Sequence, residues 1–270
     1  MINKRIYLCD DNQDVYLDIY IADPIGKFVR SAILVIPGGG YGEVCADREG
    51  EPIGMAFMPY GYNAFVLHYS VNRKKVFPAQ LIEASLAMKH IKDYAAEYNI
   101  NPDKIFVTGF SAGGHLAGCL GVMWNNKAIY KVIDMPYEYN KPAGMMLIYP
   151  VITGMAEYSH TPSFCNLLGE DMPDKEKLKA CSIEQNVSKE AVPLFLVHTS
   201  NDQVVDVRNS LCLADKYRDN GIAFEMHIYP DGPHGVALGN EITECGVDRW
   251  NNSAIAKWVT DAVIWAKSVV

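Results

Sequence analysis

The chain has 270 residues, 49% hydrophobic and 21% charged, a balance that supports a packed core and excludes an intrinsically disordered chain. Its formal charge of −8 at pH 7, with Arg73-Lys74-Lys75 as the one dense cationic spot, argues against a nucleic-acid partner, because a phosphate backbone would meet net repulsion. No apolar run is long enough to span a bilayer, no apolar leader follows Met1, and the seven scattered cysteines lack CxxC or metal-ligand spacing; the expectations are one folded domain, no membrane, no metal and reduced thiols in a cytoplasmic protein.

In chain order, residues 6–9 predict a strand, and Val15, Leu17, Ile19 and Ile21 alternating with Tyr16, Asp18 and Tyr20 predict a second, half-exposed one. The nearly all-apolar runs 32–36 and 64–68 predict buried strands. Leu81, Ala84, Met88, Ile91, Ala95 and Tyr98 recur at the helical period, so a helix is expected until 99–102 ends it. A strand over 104–108, a helix over 112–124 and strands over 144–149 and 193–198 follow. A helix carrying Val207, Leu211, Ala214 and Tyr217 stops near Gly221, a C-cap glycine; a strand over 224–229 comes next, and Ile255, Trp258, Val259, Ala262 and Trp265 mark a last amphipathic helix. Strands alternating with helices predict an α/β fold with a mostly parallel central sheet, helices on both faces, and ligands at the carboxyl ends of the strands. The polar, Pro-interrupted stretch 153–192 breaks that rhythm and is expected to be a short cap or lid over the site.

After the strand ending at Thr108 comes Gly109-Phe110-Ser111-Ala112-Gly113, a G-x-S-x-G sequence between a predicted strand and a predicted helix. Such a turn needs glycine on both sides of the serine, since a Cβ there would strike the neighbouring strand and helix; the plainer alternative is a glycine-rich turn that only packs a helix tightly. A serine hydroxyl is a weak nucleophile at neutral pH, so a histidine must take its proton and a third group must hold that histidine. His68, His198 and His227 fall on strands, His90 on a helix, His160 in the cap, and His115 on the helix behind the serine, where it remains a rival. His234, in the turn-rich loop Pro230-Asp231-Gly232-Pro233-His234-Gly235 after the last strand, is the candidate base. Asp202, after the strand over 193–198, is the candidate orienting carboxylate; Asp206 is its rival and otherwise an N-cap. For the oxyanion, backbone N–H groups of Ala112 and of Gly39 and Gly40, in Pro37-Gly38-Gly39-Gly40-Tyr41, are the candidate donors. The glycine triplet is no P-loop, since no Lys and Ser/Thr pair follows it.

The segments PGGGYGEVCADREGEPI (37–53), NPDKIFVTGFSAGGHLAG (101–118), IYPVI (148–152), VHTSNDQVV (197–205) and PDGPHG (230–235) resemble the α/β-hydrolase carbohydrate esterases and acetyl esterases. That group is related to the hormone-sensitive-lipase esterases and is often labelled xylanase-like or sugar hydrolases. The resemblance implies the α/β-hydrolase fold, a triad of Ser111, Asp202 and His234, and an oxyanion hole of Gly39, Gly40 and Ala112. It also implies a small-molecule ester substrate, such as an acetylated sugar, cleaved through an acyl-enzyme without a cofactor. Pro37 and Phe110 stand where many lipase-like relatives have His and Asp, which moves the chain away from that branch. Tyr41, Phe110 and Tyr149, with Phe164, are candidate substrate contacts or core packing. A base must be neutral to act, so activity is expected to rise from mild acid toward neutrality. The alternatives are a general carboxylesterase, lipase or small peptidase on the same fold, and a non-catalytic ligand-binding relative. Monomer and homodimer are both compatible with the sequence.

Overall fold

The computed structural model describes residues 1–10 and 12–270 of the chain. Among them the strands are β1 (Ile2–Tyr7), β2 (Tyr16–Ile21), β3 (Arg30–Ile36), β4 (Tyr62–His68), β5 (Ile100–Phe110), β6 (Met145–Ile148), β7 (Leu194–Thr199) and β8 (Phe224–Tyr229). They form one sheet in the order β1-β2-β4-β3-β5-β6-β7-β8. β2 pairs antiparallel with both β1 and β4, and from β4 through β8 the strands run parallel. The described helices are α1 (Ala46–Glu49), α2 (Glu51–Phe57), α3 (Ala79–Asp93), α4 (Ser111–Met123), α5 (Lys127–Val132), α6 (Thr161–Leu168), α7 (Lys175–Cys181), α8 (Ile183–Asn186), α9 (Arg208–Asn220) and α10 (Trp258–Val269).

Successive residues of a strand point to opposite faces, so a sheet covered on both sides reads as an unbroken apolar run. Leu34 and Ile36 enter a core with Leu81 and Met88 of α3, Leu116 of α4 and Leu213 of α9. Their neighbours Ile33 and Val35 enter the other core, with Ile53 and Phe57 of α2 and Trp258 and Trp265 of α10. This is the mostly parallel, doubly covered sheet that the alternation of elements predicts.

Several boundaries differ from expectation for physical reasons. β1 occupies Ile2–Tyr7 rather than 6–9; it is an edge strand exposed along most of its length, so burial imposes no pattern on its sequence. α3 ends at Asp93, although Ala95 and Tyr98 stay buried, because the chain must turn at Asn99 (φ +50) for Ile100 to pair with Arg30. Ile100 starts β5 four residues before the predicted strand, and the register shifts between the Arg30 and Ala32 pairings. α1 and α2, in a stretch of charged residues and glycine, were not predicted. Within 153–192 lie α6, α7 and α8. Asn166 of α6 donates its side-chain N–H to the Gly40 carbonyl at 3.0 Å, which seats this segment against the loop that follows β3.

Candidate active site

β5 gives way to α4 without a linker: Phe110 is extended (φ −120) and Ser111, with φ +52, already opens the helix. A serine in that left-handed region is strained and is held there only by its surroundings. The surroundings are tight. A Cβ at Gly113 would stand 2.2 Å from the Ile36 carbonyl oxygen, and one at Gly109 would stand 2.3 Å from that of Gly113. Glycine on both sides lets α4 press against the end of β3 and leaves Ser111 at the carboxyl rim of the sheet.

Ser111 and His234 are 123 residues apart in the chain, yet Ser111 Oγ lies 2.8 Å from His234 Nε2. His234 Nδ1 lies 2.7 Å from Asp202 Oδ2. A carboxylate only accepts, so Nδ1 carries the proton, Nε2 is a free acceptor, and the Ser111 hydroxyl donates to it. Asp202 Oδ1 accepts the backbone N–H groups of Val204 and Val205 at 2.9 and 3.0 Å. His198 Nε2, which donates to the Val205 carbonyl at 2.9 Å, also lies 3.3 Å from Asp202 Oδ2. Burial by itself would raise the Asp202 carboxyl, but the hydrogen bonds from His198 and His234 outweigh it and hold this acid well below the usual carboxylate range. Asp202 therefore stays ionised, as a group that orients an imidazole must. Asp206 has another occupation: its carboxylate accepts the Arg208 backbone N–H at 2.8 Å and pairs with the Arg208 guanidinium at the surface, beside the first turn of α9.

The loop after β3 takes φ values of +121 at Gly39, +62 at Gly40 and +57 at Tyr41. Its Gly39 carbonyl accepts from the N–H groups of Gly42 and Glu43, and its Gly40 carbonyl accepts from Asn166. With the carbonyls so engaged, the Gly39 and Gly40 N–H groups have no acceptor among the described residues. Ala112 lies in the first turn of α4, where helical N–H groups lack intrahelical partners and the helix dipole favours negative charge. Among the described residues no group of three or more His, Cys, Asp or Glu side chains is placed to hold a metal ion, and no helix is long and apolar enough to cross a membrane.

The aromatic residues weighed as substrate contacts or core packing are all buried. Phe110 has no exposure, and its ring packs 5.9 Å from those of Tyr149 and Trp258. Tyr149 meets the His234 ring edge-on at 4.9 Å, donates its hydroxyl to Glu49 at 2.9 Å and accepts the Ala237 N–H at 3.0 Å. Tyr41 is buried and hydrogen-bonded through its hydroxyl to His115 Nδ1, and Phe164 packs edge-on against the His115 ring. All four rings are buried in packing contacts. His115 is excluded as the base for the same reason. Its Nε2 donates to the Cys181 carbonyl, its Nδ1 accepts from Tyr41, and burial pushes its pKa down to about 4. His160, just before α6, is half-buried and hydrogen-bonded to Ser163; burial first, and the proximity of His234 second, lower its pKa.

Sequence reasoning missed four supporting groups. His198 lies in β7 four residues before Asp202, and Ser210 of α9 lies 2.7 Å from its Nδ1. Trp250 donates its indole N–H to the His234 carbonyl at 3.1 Å. Glu49 is buried between the loop after β3 and Tyr149. A histidine near the end of a buried strand and a serine on a predicted amphipathic helix were the available signals; Glu49 and Trp250 lie in segments with no recognisable periodicity.

The BD-FAE family model matches residues 17–217. Endo-1,4-beta-xylanase B of Butyrivibrio fibrisolvens is 38% identical over 219 residues, which cover 78% of this chain and 33% of that protein. The acetylxylan esterase of Xylanibacter ruminicola is 29% identical over 236 residues, covering 86% of this chain and 45% of that protein. The chain thus spans between a third and a half of the length of these curated relatives. Among solved structures, an acetyl ester-xyloside bifunctional hydrolase from Caldicellulosiruptor lactoaceticus superposes with a TM-score of 0.83 at 33% identity, over 98% of this chain and 96% of that one. An α/β-hydrolase enzyme from a deep-sea metagenome superposes with a TM-score of 0.80 at 31% identity, covering 100% of this chain and 98% of that one. The fold is that of the α/β-hydrolases.

Proposed function

The chain belongs to the BD-FAE family, and from that premise we propose that it is a serine carboxylesterase that removes short acyl groups, acetyl above all, from a carbohydrate. The observation that carries this reading is the unbroken chain from Ser111 Oγ through His234 to Asp202, with contacts of 2.8 and 2.7 Å. Those lengths suit proton transfer without rearrangement. Likeness to an acetylxylan esterase and to an acetyl ester-xyloside bifunctional hydrolase favours an acetylated sugar. Glycosidic cleavage ordinarily needs a free pair of carboxyl groups flanking the bond, whereas Asp202 is committed to two histidines. We therefore read the target as the ester and not the sugar linkage.

In this mechanism His234 Nε2 takes the Ser111 proton as Oγ attacks the acyl carbonyl. Charge builds on the carbonyl oxygen, where the N–H groups of Gly39, Gly40 and Ala112 are the proposed donors. The imidazolium, its Nδ1–H held by Asp202, returns the proton to the departing sugar oxygen and leaves an acyl-serine. Water then enters, loses a proton to His234, and releases acetate and Ser111. Residues 153–192 are proposed to act as a small cap, with His160 and Asn166 on the side nearest the reacting groups.

A panel running from nitrophenyl acetate to longer acyl esters, with acetylated xylose oligomers beside it, tests the proposal against Ser111→Ala. Turnover that peaks at acetyl, includes the sugar esters and vanishes in the variant is expected. A sharp optimum at long acyl chains would favour a general carboxylesterase or lipase instead.

A further inference from the structure

The motif Arg48-Glu49-Gly50-Glu51-Pro52 has no part in that mechanism, yet it places a carboxylate between the two loops that the mechanism uses. Glu49 is 2% exposed. Its Oε2 accepts the Gly38 N–H at 2.8 Å, and its Oε1 accepts the Tyr149 hydroxyl at 2.9 Å. That hydroxyl in turn accepts the Ala237 N–H at 3.0 Å. Gly38 directly precedes Gly39 and Gly40, and Ala237 comes three residues after His234. One buried carboxylate therefore connects the loop of candidate oxyanion donors to the loop that carries the candidate base.

We infer that Glu49 is a positioning residue which, through Gly38 and Tyr149, fixes the oxyanion loop relative to the His234 loop. The inference rests on the esterase reading above. A buried carboxylate is costly unless its oxygens are satisfied, and a residue needed only to fill space would be apolar. Both Glu49 oxygens are used, and each partner is a backbone N–H or is tied to one. The peptides around Gly38 are pinned on their other sides as well. Tyr69 donates its hydroxyl to the Pro37 carbonyl at 2.8 Å, and Cys45 N–H donates to the Gly38 carbonyl at 3.1 Å. The same short helix braces the base loop by a second route. The Arg48 guanidinium stands 4.6 Å from the Trp250 ring centre, and Trp250 donates to the His234 carbonyl. Burial pushes the Glu49 carboxyl up, and the neighbouring Arg48 cation, with the Gly38 and Tyr149 hydrogen bonds, offsets part of that cost.

Glu49→Gln keeps the shape of the side chain and one acceptor oxygen but loses the second acceptor and the charge. Tyr149→Phe removes the link to Ala237 and leaves the carboxylate in place. Oxyanion donors act within a few tenths of an ångström, and a misplacement of about 1 Å costs about 100-fold. The expectation for Glu49→Gln is a kcat lower by roughly 10- to 100-fold, with KM for nitrophenyl acetate within about twofold of wild type. Rates are taken per active site titrated with a fluorophosphonate, so that loss of folded protein does not count as loss of kcat. Because both groups act through one chain of hydrogen bonds, the double variant should lose far less than the product of the single losses. A per-site kcat for Glu49→Gln within about twofold of wild type, or single losses that multiply in the double variant, overturns the inference. Should Glu49→Gln fail to fold, Tyr149→Phe decides alone: an unchanged per-site kcat overturns the inference and a lowered kcat at unchanged KM supports it. A wild-type protein with no Ser111-dependent turnover would instead defeat the esterase reading, an outcome distinct from active wild type with an equally active Glu49→Gln.

Discussion

Gly39→Ala separates the proposed oxyanion donors from mere loop packing. A Cβ at Gly39 would stand 2.2 Å from the Glu43 carbonyl oxygen and 2.7 Å from its carbon, both backbone atoms that no side-chain rotation can clear. Carbon–oxygen contact needs about 1 Å more than that, so the loop must open by about 1 Å. The φ of +121 is also one that an L side chain rarely adopts, and holding alanine there costs about 1–3 kcal/mol. If the Gly39 N–H stabilises the oxyanion, that movement removes one donor, and kcat on nitrophenyl acetate should fall by about 100- to 1000-fold. Gly40→Ala is the internal control. Its Cβ would meet only Ser163 Oγ, at 3.9 Å, and φ is +62, so it carries a strain of about 1–2 kcal/mol but little displacement. Its kcat should fall by less than about tenfold. Initial rates paired with urea unfolding midpoints give both quantities. A folded Gly39→Ala protein with wild-type kcat, or a Gly40→Ala protein that loses more activity than Gly39→Ala, would refute the reasoning.

Asp202→Asn should lower kcat by about 1000- to 10,000-fold, because an amide can donate to Nδ1 and turn the imidazole to the wrong tautomer. Asp206→Asn, which loosens only a surface contact with Arg208, should change it by less than about twofold; steady-state rates decide, and the reverse pattern would move the orienting role to Asp206. Asp202 also predicts a pH dependence of stability. Its folded-state pKa is depressed, so the stability it contributes is fully present above the unfolded carboxylate value near ~4 and is lost as pH falls below that toward the folded value. The stability gap between wild type and Asp202→Asn, measured by urea unfolding, should be constant from pH 7 to about 5 and shrink below about 4. A gap that grows on acidification would contradict the sign.

Ser111 was legible because its turn leaves a mark on its neighbours: the collisions at Gly109 and Gly113 are backbone contacts, so only glycine fits. His234 was legible from position, in a turn after the last strand and beyond the parallel core. The choice between Asp202 and Asp206 depends on which carboxylate turns inward. Two backbone N–H groups, from Val204 and Val205, settle the orientation of Asp202 locally, but their effect is invisible until the chain is folded. For Tyr41, Phe110 and Tyr149 the sequence left substrate contact and core packing open, because closeness in sequence to Ser111 does not say on which side of the sheet edge a ring will lie; all three are buried. Glu49 was opaque for a different reason. Its partners are 11 and 100 residues away, and a carboxylate in a charged, glycine-containing stretch ordinarily faces water. The edge strand β1 escaped correct placement because exposure removes the hydrophobic alternation that strand prediction reads.

Intact-mass analysis after treatment with a fluorophosphonate, followed by peptide mapping, asks directly whether Ser111 is the nucleophile that His234 activates. The account predicts one phosphonyl adduct per chain, on the peptide containing Ser111, absent from Ser111→Ala and strongly slowed in His234→Ala. An adduct on another residue, or undiminished ester turnover by Ser111→Ala, would contradict it.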